Sequence, residues 1–418
     1  MKTCHAILLT LLVSFVRSNA QTNFEKITDA PQVTDLISGT GCAWVDYDQD
    51  GYVDLFVADF DGSNHLYHNE RNGTFTAVTT GIIVNEGASG SYGVAWGDFD
   101  NDGYPDLFVG NGYGIGQTNF LYRNNGNGTF SKITNDPIVS VKGHFSGCAW
   151  GDYDRDGFVD LFVGNDLSGA SVLYHNEGGS TFTRINSAPT LASDAVGVAW
   201  ADFNNDGWPD LFVANGFGTD FKASYLYANF GGVQFQRVLS PNFPSASLGS
   251  TGIAWGDYDN DGFPDVFVTS DGSNAEPNQL YHNNGTGTFS RVTSGSIVTD
   301  PARDGSIGAA WADYDNDGHL DLFIGNRGQV KNSLYHNNGN GTFTQIVTGP
   351  IVEDGEQDNN GGCAWGDYDN DGFLDLYVSN LGPTRESTGH GYLYHNTGNS
   401  NAWLKVRCVG TVSNRFAH

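Results

Sequence analysis

A chain of 418 residues with 57 glycines, 13% aromatics and one methionine is composed for many short strands and tight turns, and its aromatic content excludes disorder. Its formal charge of −29 at pH 7 would repel nucleic acid and anionic lipid, which excludes both as partners. Length alone allows two ordinary domains or one large closed all-β architecture.

In chain order, the first feature is MKTCHAILLTLLVSFVRSNAQ: Lys2, an apolar run, then the small-residue site Ser18-Asn19-Ala20. This layout predicts a secretory signal over residues 1–20, a mature chain from Gln21 and an extracellular destination. A membrane anchor could use the same run, but the run is short and no second apolar stretch of spanning length follows, so no membrane insertion is expected. Loss of Lys2 and Arg17 deepens the negative charge. Cys4 leaves with the signal. Cys42, Cys148 and Cys363 share one repeat position with Val94, Val198, Ile253 and Ala309. They therefore read as small buried hydrophobes, and no disulfide framework is expected despite export.

From residue 21 to 399 the chain is an internal repeat. The unit Trp-x-Asp-(Tyr/Phe)-(Asp/Asn)-x-Asp-Gly-x-x-Asp-(Leu/Val) begins at Trp44, Trp96, Trp150, Trp200, Trp255, Trp311 and Trp365. Each copy reads as four strands: Gly-x-Ala-Trp, Asp-Leu-Phe-Val, Leu-Tyr-His-Asn and Thr-Phe-x-x-Val-Thr. Asp-Gly and Asn-Gly or Gly-Gly turns separate them. One repeat is one antiparallel sheet, and seven sheets arranged radially make an all-β, seven-bladed β-propeller. The seventh copy stops after Leu393-Tyr394-His395-Asn396. The segment Asn23 to Thr28 lies ahead of the first Trp and supplies the missing outer strand, which closes the ring.

Each repeat also carries an acidic loop. Carboxylates at positions 1, 3 and 5 converge when the chain wraps, glycine at 6 permits the turn, the carbonyl at 7 faces inward, and Asp at 9 completes an oxygen cage. The sets are Asp46, Asp48, Asp50 and Asp54; Asp98, Asp100, Asp102 and Asp106; Asp152, Asp154, Asp156 and Asp160; and Asp202, Asn204, Asp206 and Asp210. They continue with Asp257, Asp259, Asp261 and Asp265; Asp313, Asp315, Asp317 and Asp321; and Asp367, Asp369, Asp371 and Asp375. Oxygen ligands without Cys or His select Ca2+, up to seven ions, and the fourth set is weakest in charge because of Asn204. An EF-hand would need Glu at position 12, where Val57, Val109, Val163, Val213, Val268, Ile324 and Val378 stand, so a strand has begun instead. Bare hairpin turns account for one Asp per turn but not for three or four carboxylates in each of seven loops.

The Asp-x-Asp-x-Asp-Gly-x-x-Asp loop before an apolar strand resembles the FG-GAP (VCBS) repeat of the integrin α-subunit head, across about nine-tenths of the chain. The resemblance implies calcium in these loops on the rim of one propeller face. From Asn401, the run Asn-Ala-Trp-Leu-Lys-Val-Arg-Cys-Val-Gly-Thr-Val-Ser-Asn-Arg resembles the opening of the ASPIC/UnbV segment that follows FG-GAP propellers in the cartilage acidic protein group. Residues 400–418 are thus expected to be a truncated start of that segment.

The face opposite the acidic loops receives connections of variable length, where recognition usually resides. Tyr113, Phe217, Phe221, Arg327, Lys331, Arg385 and His390 are candidates for contacting an extracellular protein or glycan. His68, His175, His282, His336 and His395 recur in one strand slot, but Arg123 and Ala228 share it, so it reads as an exchangeable strand position and not a catalytic one. The seven repeat tryptophans read as packing between blades. Asn72, Asn127, Asn284 and Asn340 head Asn-x-Thr sequons that serve equally as turns or as glycan acceptors. No catalytic motif appears, so the expected role is an adhesion, matrix or recognition module and not an enzyme. A lyase-like, polysaccharide-active enzyme on a calcium propeller and a scaffold for a missing C-terminal domain are the alternatives.

Overall fold

In a computed structural model the chain forms a ring of seven four-stranded antiparallel blades. The structure describes residues 23–112, 117–166, 170–185, 195–216, 223–239, 243, 249–270, 277–300, 305–328, 330–354, 359–382 and 388–401. The expected secretory signal lies outside them, as does all but the start of the ASPIC/UnbV-like segment.

Blade 1 shows the plan: an inner strand Gly39–Val45, a second strand Asp54–Asp59, a third strand His65–Asn69 and an outer strand Phe75–Ala77. The second strand is buried at every residue because it has neighbours on both edges and a blade against each face. Trp44 pairs with Leu55, and a register shift between Gly39 and Cys42 interrupts the regular pairing of the inner strand. Inner strands of adjacent blades crowd one another. A Cβ built on Gly93 would lie 1.9 Å from the Ser146 carbonyl oxygen of the next blade, so only glycine fits.

The apolar core lies between blades. Each of seven buried clusters draws on two adjacent blades, as where Leu55, Val57 and Tyr67 of blade 1 meet Tyr368, Tyr377 and Leu393 of blade 7. Blade 7 contains Asn360–Gly366, Asp375–Asn380 and Tyr392–Asn396. Its fourth strand is Phe24–Ile27, running antiparallel to the third from Phe24 opposite Asn396 to Ile27 opposite Leu393.

One class of element was not expected. Single helical turns at Pro31–Thr34, Ser296–Thr299 and Pro350–Glu353, and 3-10 turns at Ile82–Val84 and Pro137–Val139, bridge successive blades. They bury pairs such as Ile297 and Val298 or Ile351 and Val352 against the outer strands. Among the described residues, no helix is long and apolar enough to cross a membrane.

Candidate functional site

The acidic loops join inner to second strands on one face of the ring. In blade 1, Asp46 Oδ1 accepts the Asp50 N–H at 2.9 Å and Asp46 Oδ2 that of Gly51 at 3.1 Å, while Asp50 Oδ1 accepts the Tyr52 N–H at 2.9 Å. Gly51 takes φ 93°, and position 4 is also left-handed, from φ 55° at Asn205 to 61° at Gln49. Asparagine suits that conformation and fills position 4 in five of the seven loops. The wrapping anticipated from the glycine therefore uses two left-handed residues.

Position 9 is the buried floor. Asp54 Oδ2 accepts the Tyr47 N–H at 3.3 Å and Oδ1 that of Asn69 at 2.8 Å, and the pattern recurs at Asp106, Asp160, Asp210, Asp265, Asp321 and Asp375. Burial pushes these carboxyls up, to about 9 at Asp106 and Asp160, about 7 at Asp54, Asp210, Asp265 and Asp375, and about 6 at Asp321. Burial likewise raises Asp98 to about 6, with Asp102 and Asp100 adding repulsion. Such a cage is costly as four anions and is stabilised by a cation.

The histidine slot, read from sequence as an indifferent strand position, points into these cages. His68 Nδ1 lies 3.0 Å from Asp54 Oδ1 and 3.7 Å from Asp48 Oδ2. His175, His282, His336 and His395 sit equivalently. One ligand atom from each of Asp48, Asp54 and His68 lies within 4.8 Å of the others, as do Asp154, Asp156 and His175; Asp259, Asp261 and His282; Asp315, Asp317 and His336; and Asp369, Asp371 and His395. In five loops an imidazole nitrogen therefore faces the carboxylates. Arg123 fills the slot in blade 2 with Nε 2.5 Å from Asp100 and Nη2 3.0 Å from Asp102, while Ala228 leaves blade 4 without a counterpart. The exchange hid a common orientation.

The residues present fit a hard divalent cation. Carboxylates of one loop lie close enough to repel one another, as Asp98, Asp100 and Asp106 do in blade 2, and Asp315 Oδ1 is buried without a hydrogen-bond partner. A calcium ion accepts six to eight oxygens in flexible geometry, which this loop supplies more readily than an octahedron.

Two sets of ties join neighbouring loops. The asparagine closing each third strand donates to the position-2 carbonyl of the preceding blade: Asn69 to Tyr368, Asn124 to Tyr47, Asn176 to Phe99, Asn229 to Tyr153, Asn283 to Phe203, Asn337 to Tyr258 and Asn396 to Tyr314, all at 2.7–2.8 Å. Position-4 amides reach the position-6 carbonyl of the following blade, as from Asn101 to Gly157 at 2.8 Å and Asn370 to Gly51 at 3.0 Å. Gln49, Asn205, Asn260 and Asn316 do the same. Arg155 holds that position in blade 3 and lies 5.2 Å from the Trp208 ring. Sequence reading passed over both sets, although the strand asparagine occurs in all seven copies. The tryptophans add a third tie: Trp44 Nε1 donates to Ala364 O at 3.1 Å, and Trp150, Trp200, Trp311 and Trp365 repeat it.

On the opposite face, Arg327 bridges to Asn359 and Lys331 lines a cavity with Asn332. His390 adjoins Gly389, which pairs with Ile37. Tyr113, Phe217, Phe221 and Arg385 lie outside the described residues. The sequon asparagines are exposed, and Asn72 Oδ1 also accepts the Thr74 N–H at 3.0 Å, so the turn role is present. Cys42, Cys148 and Cys363 are free thiols, with burial pushing Cys42 and Cys148 up to about 12 and Cys363 still higher.

Comparison with known proteins follows the repeats. A family model described as an FG-GAP-like repeat matches residues 46–109, 106–163, 152–213, 202–268, 257–324 and 313–378. Cartilage acidic protein 1 of Xenopus tropicalis is 32% identical over 145 residues, 32% of this chain and 22% of that protein. Integrin alpha-6 of Gallus gallus is 29% identical over 156 residues, 32% of this chain and 14% of that protein. The matches thus span less than a quarter of these relatives. Among solved structures, an Agrocybe aegerita lectin that recognises non-reducing terminal N-acetylglucosamine superposes with TM-score 0.53 at 19% identity, over 82% of this chain and 86% of that one. BBS1N, solved in complex with ARL6DN, superposes with TM-score 0.54 at 11% identity, over 91% and 99%. These two likenesses speak for the ring alone. With six contiguous matches across most of the blades and an acidic loop at the same point of each, the chain belongs to the FG-GAP-like repeat family.

Proposed function

We propose that this protein is a secreted propeller that binds calcium in its seven aspartate loops and presents its opposite face to an extracellular protein or glycan. The observation that carries the reading is the sevenfold recurrence of a carboxylate cage whose position-9 floor is buried, from 0% exposed at Asp106 to 1% at Asp54. The residues that would hold the ions are the Asp sets given above, with Asn204 in blade 4. A bound ion would supply the positive charge that lets each loop stay wrapped; the chain's own part is to hold four oxygens convergent and the loop amides fixed. Extracellular modules of this kind are tuned to roughly 0.1–1 mM calcium. Likeness to cartilage acidic protein 1 and integrin alpha-6 supports an extracellular recognition role. The protein acts by binding and not by catalysis.

Thermal unfolding with calcium and after chelation, together with metal counting on the purified protein, tests the ion assignment. The expected result is a large loss of stability on chelation and near seven ions per chain; an unchanged transition with no bound metal refutes it. A glycan and matrix-protein array beside an assay of uronate-polysaccharide cleavage tests the recognition role. Turnover in that assay would make it an enzyme.

A further inference from the structure

Three blades plug one outer-edge position with their own side chains. In blade 2, Lys132 Nζ lies 3.7 Å from the Phe120 ring centroid; in blade 4, the Arg237 guanidinium lies 4.0 Å from Tyr225; in blade 7, Lys26 Nζ lies 4.4 Å from Tyr392. In blades 2 and 7 the ammonium also meets a carboxylate from the connection entering the blade, Glu86 at 2.5 Å and Asp354 at 2.9 Å. Cross-strand register places these lysines alike, Lys132 opposite Tyr122 and Lys26 opposite Tyr394.

Blade 6 keeps the acid and the tyrosine but not the plug. Tyr335 O–H donates to Asp300 Oδ2 at 2.8 Å, as Tyr394 does to Asp354 at 2.9 Å. Opposite Tyr335 stands Gln345 in place of the lysine, and Ser333 stands in place of the aromatic ring. Two bulky groups are thereby missing, and a cavity of about 390 Å3 opens there, lined among others by Asp300, Asn332, Ser333, Tyr335 and Gln345. Asn332 is 3% exposed, and its Nδ2 has no hydrogen-bond partner. A buried donor of this kind favours a ligand that brings an acceptor.

We propose that this cavity receives the lysine side chain of a partner protein, the ammonium on Asp300 as blades 2 and 7 seat their own lysines, with a backbone carbonyl of the partner on Asn332 Nδ2. An amine alone would satisfy the carboxylate but not the amide; a lysyl residue within a peptide satisfies both. This inference rests on the reading that the face away from the acidic loops recognises a protein, and it does not involve the metal sites.

The test uses the full calcium-treated chain and two blocked tripeptides, acetyl-Gly-Lys-Gly-amide and its norleucine counterpart, titrated by calorimetry. Saturable binding of the lysine peptide is expected, with a loss of roughly tenfold or more for norleucine and for Asp300→Asn, as removal of a charge-assisted contact requires. Gln345→Lys should supply the internal plug, keep or raise the unfolding temperature and abolish binding. Lys331 also lines the cavity, and Lys331→Met should leave affinity unchanged or raised. The proposal is overturned by no saturable binding, by equal binding of norleucine, by undiminished binding to folded Gln345→Lys, or by a loss in Lys331→Met, which would mark an anion site. Normal calcium stoichiometry alongside any of these leaves the ion assignment standing and removes only this one.

Discussion

The side-chain amide of Asn176 donates at 2.8 Å to Phe99 O of the preceding blade and at 3.0 Å to Val159 O of its own. Both bonds are buried, so replacement by alanine leaves two carbonyls dry. Asn176→Ala should destabilise the protein by about 2–4 kcal/mol, read from denaturant midpoints, while exposed Asn125→Ala should change it by less than about 0.5 kcal/mol. The thiols give a second check at this scale. With Cys42 and Cys148 held up to about 12 by burial, these two thiols should resist alkylation at pH 8 in the native protein and label only after unfolding, read residue by residue by mass spectrometry. Rapid native labelling of either would show that solvent and reagent reach the inner strands. The aspartates and glycines of the loops were legible in sequence because their spacing is itself the geometry. The role of Asn176 was not, because its partner Phe99 is far away in the chain and periodicity carries no information about which carbonyl a side chain will meet.

Loops, as elements, differ in what faces them. Five have a histidine over the cage, blade 2 has Arg123 paired with Asp100 and Asp102, and blade 4 has neither, with Asn204 at position 3. Calcium titration of the chelated protein should therefore show blade 4 filling last. Asn204→Asp should tighten that last phase several-fold, whereas filling in one uniform phase would mean that the missing carboxylate is irrelevant. Strand existence and order were readable because turn residues punctuate every repeat. The helical turns between blades were not: four residues such as Ser296–Thr299 complete scarcely one turn, too few for an apolar period to register. The direction shared by the histidine slot was not legible for a related reason. Exchange among His, Arg and Ala hides a shared direction when residue type is the only signal.

At the scale of the whole molecule the ring depends on its seam. Phe24 is 5% exposed and packs 5.7 Å from Tyr314 and 6.0 Å from Trp365, ring to ring. Phe24→Ala should cost about 3–5 kcal/mol, in the range of other large core truncations, and the loss should appear in the global unfolding transition and not as a separate early one. A distinct low-temperature step would mean that blade 7 melts independently. Blade number and the identity of the closing strand could be inferred from sequence, since a seventh unit short of one strand and a spare strand at the other end admit one pairing. The ties that make the ring continuous run between units, and a repeat read one copy at a time does not display them.

The pairing of Phe24–Ile27 with Tyr392–Asn396 also sets a timetable. During synthesis the first described strand emerges before any blade exists, and its partner is made only after the strands of blades 1 to 6 have followed. Until then Phe24 and Ile27 are an exposed apolar edge, and blade 7 lacks its outer member. Blades 1 to 6 can form in order as they leave the ribosome, but the ring cannot lock until Tyr392–Asn396 has been made. A ribosome stalled before Tyr392 would hold an open arc whose first strand still lacks its partner.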